Sequence, residues 1–219
     1  TIVTTELART VCERNGIPMY DTFTGFKFIA ERIIEEEQKG KTCIFSYEES
    51  FGYLIGNHCR DKDAVTASML IAEMAAYYAD KGMTLYDRLS EIYREYGQTS
   101  EETINVIMPG LDGIEKMKAL MRRLRIGEVE LPRQLELTEV YDYLKGTVTE
   151  IKDRQFKKLE LKDSDVLGFT FEGGSKLLVR PSGTEPKIKF YILARADSAE
   201  EAGNQRKILK DFVKSLSEK

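Results

Sequence analysis

The stretch VLGFTFEGGSKLLVRPSGTEPKIKFYILA, Val166 to Ala194, decides how the second half of the chain folds. Val166 to Phe171 and Lys176 to Val179 are short apolar runs separated by Gly173-Gly174, which is a hairpin signal, and Ile188 to Ala194 reads as a further strand. Downstream, Ser198 with Glu201 caps a last helix in which Ala202, Leu209, Val213 and Leu216 share a face. The pattern predicts an antiparallel sheet backed by helices, an α+β layer.

Upstream the rhythm is different. Thr1 to Thr4 is β-branched and reads as a strand, Thr5 caps a helix over Glu6 to Asn15, and Gly16 stops it. Phe26, Ile29, Ile33 and Ile34 recur at helical spacing, Thr42 to Tyr47 is a second strand, and a long apolar helix follows a polar loop ending at Asp63. Strand, helix, strand, helix predicts an α/β layer with a parallel sheet. Thr84 with Asp87 resembles a capping box, Thr103 to Met108 reads as a strand, and Asp112 with Glu115 opens a helix that Gly127 ends. From Glu128 to Leu161 the pattern loosens around Pro132 and Gly146. The expected domains are therefore 1–127 and 128–219, with a hinge between Gly127 and Leu137.

Composition narrows the function classes. The 219 residues carry 33 Lys plus Arg against 37 Asp plus Glu, a formal net charge of −4, and the basic residues are diluted by acidic neighbours. Nucleic acid is not an expected partner. Three cysteines, Cys12, Cys43 and Cys59, form no C-x-x-C pair and His58 is the single histidine, which leaves no Cys/His zinc set and points to reduced thiols in the cytoplasm. Ala64 to Ala79, interrupted by Thr66, Ser68 and Glu73, is shorter than the roughly 20 residues a membrane crossing needs and reads as a buried helix. No signal peptide and no membrane partner are expected, and no dinucleotide or Walker-type glycine loop is present.

Two segments can carry chemistry. Arg180-Pro181-Ser182-Gly183-Thr184-Glu185-Pro186-Lys187-Ile188-Lys189 packs a guanidinium, two hydroxyls, a glycine and lysines between two strands. Arg can fork two phosphate oxygens, the hydroxyls can each donate one bond, and glycine lets successive N–H groups turn inward, so the segment reads as a phosphate clamp or as a plain reversing turn. Glu48-Glu49-Ser50 at a strand end can accept and donate to sugar hydroxyls, or be a solvated acidic loop. Arg60-Asp61-Lys62-Asp63 reads as a charged helix start, and His58 as a loop residue without catalytic consequence.

Taken in order, Thr24-Gly25-Phe26-Lys27, Glu48-Glu49-Ser50-Phe51-Gly52-Tyr53, Arg60-Asp61-Lys62-Asp63 and Arg180 to Lys187 resemble the third and fourth domains of the α-D-phosphohexomutases. The bacterial phosphoglucomutase branch is the most similar, and phosphomannomutase is its near relative. The resemblance implies a third domain of α/β class, with a mixed sheet and helices, truncated at its N-terminal side. A smaller α+β fourth domain follows, with a TATA-binding-protein-like antiparallel sheet. It also implies a four-domain enzyme that interconverts glucose 1-phosphate and glucose 6-phosphate through a phosphoserine, Mg²⁺ and glucose 1,6-bisphosphate. By that likeness Glu48 and Ser50 hold sugar hydroxyls, and Thr24, Gly25 and Lys62 line the same site. Arg180, Ser182, Gly183 and Thr184, joined by Lys189, grip the non-reacting phosphate.

Two departures bear on this expectation. Some phosphomannomutase-type members carry histidine where Gly52 stands, which favours glucose over mannose. Neither the family's T-A-S-H-N-P serine loop nor its D-G-D-G-D-R metal loop is present, so no catalytic residue and no metal ligand is assigned to this chain. The chain is expected to be the substrate-recognition half of a phosphoglucomutase, inactive alone, with a sugar phosphate and the missing N-terminal domains as partners. A phosphomannomutase fragment and a non-catalytic sugar-phosphate-binding or regulatory module are the alternatives.

Overall fold

A computed structural model describes residues 1–217. The chain divides into two compact units, Thr1–Gly97 and Gln98 onward.

The first unit contains α1 (Glu6–Arg14), α2 (Phe26–Gln38), β1 (Phe45–Glu48), β2 (Gly52–Ile55), α3 (Ala64–Asp80) and α4 (Leu85–Tyr96). Side-chain caps start α1, α3 and α4 where the sequence predicts them. The Thr5 hydroxyl accepts from Leu7 N at 3.2 Å, Asp63 Oδ1 accepts from Val65 N at 2.8 Å, and Thr84 and Asp87 form the reciprocal capping box. In one core cluster Phe26, Ile29 and Ile33 from α2 pack with Leu54 from β2, and Cys43 and Cys59 lie against them as free thiols.

Three expectations change here. Thr1 to Thr4 forms a turn, with Thr4 N donating to Thr1 O at 3.0 Å, and Ile2 and Val3 are buried. β1 and β2 form an antiparallel hairpin in which Glu48 pairs with Gly52; among the described residues this hairpin is the first unit's only sheet, and the parallel pairing expected from the strand–helix rhythm is not realised. The third change concerns α3, the apolar run read as a buried helix. None of its residues is buried, and Val65, Met69, Ile71 and Tyr77 are more than half exposed. Composition alone marks such a helix for burial. What the sequence does not contain is whether a covering layer lies in the same unit.

The second unit holds β3 (Gln98–Ile107), α5 (Gly113–Arg125), β4 (Leu137–Asp142), β5 (Thr147–Glu150), β6 (Gln155–Lys158), β7 (Leu167–Phe171), β8 (Lys176–Pro181), β9 (Lys187–Ala196) and α6 (Ala199–Ser217). Its seven strands are ordered β3-β9-β8-β7-β4-β5-β6, all antiparallel. Alternate residues Ile188, Phe190 and Ile192 of β9 join Leu177 and Val179 of β8 and the apolar stripes of α5 and α6 in one core. The helices therefore cover one face of the sheet.

The division falls at Gly97 and not at Gly127, where the sequence pattern loosens. The physical reason is β3, whose ten residues pair with all of β9 from Gln98↔Ala196 to Ile107↔Lys187, binding Gln98 to Gly127 into the second unit. The second unit is thus the longer one, and Gly127 to Leu137 connects α5 to β4 inside it. Among the described residues, no helix is long and apolar enough to cross a membrane.

Candidate functional site

Two candidate sites exist, one in each unit. In the first, β1 delivers Glu48 to the neck of the hairpin, where it is 7 % exposed. Its Oε2 accepts from Gly25 N at 3.2 Å, and the Lys62 ammonium stands 4.0 Å from Oε1, beyond hydrogen-bond range. One carboxylate oxygen is thus fixed by backbone while the other retains acceptor capacity beside a cation. Lys62 is held above the ordinary lysine range by its hydrogen bond to Asp61, so it stays charged, and its ammonium lies 5.3 Å from the Phe26 ring centroid.

Gly52 explains how Lys62 reaches this place. A Cβ on residue 52 would lie 2.5 Å from Lys62 Cδ and 2.9 Å from Glu48 Oε1, so the lysine stem occupies the room a side chain would need.

Gly25, Glu48 and Lys62 therefore converge. Thr24 directly precedes Gly25 and is half-buried, whereas Ser50 stands exposed on the turn next to Phe51, which adopts a positive φ of 61° and is 86 % exposed. The chain is thus not extended from Glu48 to Ser50, and the shared direction that an extended chain would impose on the two does not apply. Glu49 instead accepts from the Thr1 hydroxyl at 2.9 Å. His58 Nε2 donates to Asp63 Oδ2 at 2.8 Å, bracing the carboxylate that caps α3; the bonds from His58 and Thr66 hold Asp63 down at about 2.

In the second unit, Arg180 at the end of β8 faces Lys189 of β9 as a direct cross-strand pair, and Lys189 in turn faces Asn105 of β3. Opposed residues of antiparallel strands project to the same side, so these three share the sheet face opposite the helices. Like charges set directly opposite repel, and among the described residues neither Arg180 nor Lys189 forms a salt bridge. Lys187, by contrast, pairs with Glu185 at 2.5 Å and holds that carboxyl below its usual range. The loop's own acid is thereby paired with Lys187 and also feels the charge of Lys189, and Arg180 and Lys189 are the cations of the segment that form no salt bridge among the described residues.

The loop between them is closed by its backbone. Ser182 N donates to Lys187 O at 2.8 Å and Lys187 N to Glu185 O at 2.7 Å. Ser182 Oγ accepts from Thr184 N at 3.4 Å and from Glu185 N at 3.3 Å, leaving its O–H as a donor, while Gly183 and Thr184 are exposed at the tip. Asn105 is the residue that sequence reading misses, because it sits far upstream and only the β3–β9 register brings it beside Lys189.

Among the described residues, no three His, Cys, Asp or Glu side chains cluster so as to hold a metal ion.

Comparisons with known proteins cover both units. A family model described as phosphoglucomutase/phosphomannomutase, alpha/beta/alpha domain III, matches residues 1–96, and the C-terminal domain of the same family matches residues 104–210. A phosphoglucomutase of Staphylococcus haemolyticus is 34 % identical over 202 residues, 91 % of this chain and 36 % of that protein. One of Staphylococcus saprophyticus is 32 % identical over 206 residues, 93 % of this chain and 37 % of that protein. The chain thus spans little more than a third of the length of these relatives. A crystal structure of the Paramecium exocytosis-sensitive phosphoprotein pp63/parafusin, a phosphoglucomutase, shares the fold with a TM-score of 0.64 at 20 % identity, covering 99 % of this chain and 36 % of that one.

Proposed function

The chain belongs to the phosphoglucomutase/phosphomannomutase family, of which it carries domain III and the C-terminal domain, and on that premise we propose that it is the substrate-recognition half of a phosphoglucomutase. Its second unit holds the non-reacting phosphate of a glucose phosphate. Its first unit reads the sugar hydroxyls. The serine and metal that transfer the phosphoryl group belong to sequence outside this chain, and the whole protein interconverts glucose 1-phosphate and glucose 6-phosphate in the cytoplasm.

The observation that carries this reading is the opposed pair Arg180 and Lys189, neither of which forms a salt bridge among the described residues, set beside a loop in which Ser182 keeps its O–H as a donor. A phosphate dianion relieves the repulsion, takes two bonds from the Arg180 fork and one from Ser182 Oγ, and meets Lys189 as a point charge. Gly183 supplies a tip N–H and Thr184 a second hydroxyl. In the first unit Glu48 accepts a sugar hydroxyl on Oε1, with Lys62 donating beside it; Thr24, Gly25 and Ser50 line the approach. Such a division suits a substrate that must be held in two orientations, since the clamp reads only a phosphate and the carboxylate only hydroxyls.

An NMR titration of the chain with glucose 1,6-bisphosphate tests the reading. Saturable shifts from Arg180 to Thr184 that vanish in Arg180→Ala, together with shifts at Gly25 and Glu48 that inorganic phosphate does not produce, are expected. Absence of saturable shifts at millimolar ligand, or their survival in Arg180→Ala, contradicts it. In a coupled mutase assay the chain alone is expected to give no turnover.

A further inference from the structure

α5 begins with glycine, the poorest helix former after proline. The reason lies in what touches Gly113. A Cβ there would lie 2.1 Å from the Met108 carbonyl oxygen and 2.9 Å from Pro186 Cβ. Both are backbone or ring atoms that cannot rotate aside. Gly113 is itself buried, so the start of α5, the end of β3 and the last proline of the phosphate loop meet with no room for a methyl group.

The same junction is hydrogen-bonded. Met108 N donates to Pro186 O at 2.8 Å, one step beyond the last β3–β9 pair, Ile107↔Lys187, so the ladder runs on into the loop. Pro186 is followed by Lys187, whose carbonyl accepts from Ser182 N and whose own N–H donates to Glu185 O. Displacing Pro186 therefore displaces Ser182 and Glu185 with it. α5 cannot yield in their place, because Met117, Leu120, Met121 and Leu124 fix it in the core against β7, β8 and β9.

We infer that Gly113 is a positioning residue for the phosphate loop: it is the seat on which Pro186 rests, and it fixes where Ser182 to Glu185 present their donors. This rests on the phosphate-clamp reading of residues 180–189. Gly113 has no side chain with which to touch a ligand and acts only through Pro186 and Met108. Pre-set donors bind an anion more tightly than mobile ones, so loss of the seat is read as loss of affinity.

The test compares Gly113→Ala, Pro186→Gly and Leu209→Ala in the intact chain, by amide spectra without ligand and by titration with inorganic phosphate well below each melting midpoint. Leu209 is a fully buried core residue on α6, and its truncation is a stability control remote from the loop in sequence. Gly113→Ala is expected to move the amide resonances of Ser182 to Glu185 before any ligand is added. It should also weaken phosphate binding about tenfold, as misplacement of converging groups does. Pro186→Gly, which leaves α5 and the core intact, should act in the same direction with a smaller loss, and it carries the test if Gly113→Ala does not fold. Leu209→Ala should lower the melting temperature while the loop resonances and the phosphate affinity stay in place. Unmoved loop amides and unchanged affinity in Gly113→Ala and Pro186→Gly overturn the inference, as does an equal loss in Leu209→Ala. If the unaltered chain binds no phosphate while Gly113→Ala still moves the loop amides, the positioning role stands and the phosphate reading falls.

Discussion

α3 and β9 are the longest apolar elements of their respective units, and they meet opposite fates. In β9, Ile188, Phe190 and Ile192 are completely buried between the neighbouring strands and two helices. In α3, a helix of 17 residues with Glu73 and Asp80 as its only charges, not one side chain is buried. The second unit closes its own core around a seven-stranded sheet; the first buries Phe26, Ile29, Ile33 and Leu54 in one cluster, with Ile2, Val3, Leu7 and Tyr96 also buried, and leaves its most apolar helix bare. The difference teaches where each candidate site draws its rigidity. Arg180 and Lys189 sit on strands locked by a full core, whereas Glu48 is held by a four-residue strand, one backbone N–H and the stem of Lys62.

The sharpest way to break this comparison is truncation in each region. Phe190→Ala should cost the second unit about 3–5 kcal/mol, while Ile71→Ser on α3 should fall within about 0.5 kcal/mol of the unaltered chain in denaturant titrations. Equal losses would mean that α3 is packed after all. Next in size, Thr84→Ala removes the capping box of α4 and should cost about 1 kcal/mol in the first unit, read as a fall in its melting midpoint with the second unit unmoved.

Acid should also separate the units. Glu36 accepts from Lys39 at 2.6 Å and Lys41 at 2.7 Å, and these bonds hold its carboxyl down at about 2. A carboxyl depressed in the folded state stabilises fully above its ordinary value of 4.5 and loses that contribution as the pH falls towards about 2. Glu36→Gln should therefore destabilise the first unit at neutral pH and flatten its acid dependence over that window, as followed by circular dichroism. An unchanged acid profile would remove this ion cluster from the account. The smallest expected effect has the opposite sign. Lys189→Gln relieves a like-charge pair, so at low salt it should raise the second unit's stability by about 0.2–1 kcal/mol while weakening phosphate binding.

Local signals were legible in the sequence and register was not. The caps at Thr5, Thr84 and Ser198, the hairpin around Gly173-Gly174 and the strand from Ile188 all form as their residues predict, because each depends on neighbours a few positions away. β4 to β6 escaped because these short strands carry little apolar alternation: β6 is exposed throughout, and β5 buries only Val148. The place of β3, and with it the unit boundary and Asn105, depends on pairing with residues nearly ninety positions downstream, which no local pattern encodes. Of the first unit's candidate site, the residues Gly25, Glu48 and Lys62 stand in the quoted motifs, but the left-handed Phe51 that turns the chain before Gly52 has no marker in residue type.

Hydrogen exchange of the intact chain, with and without inorganic phosphate, tests the central claim that a self-sufficient second unit carries the clamp. The slowest amides should lie in β7 to β9, α3 should exchange among the fastest helical segments, and phosphate should add protection within residues 180–189 while leaving α3 unchanged. Slow exchange in α3, or phosphate that protects nothing in that loop, would contradict the account.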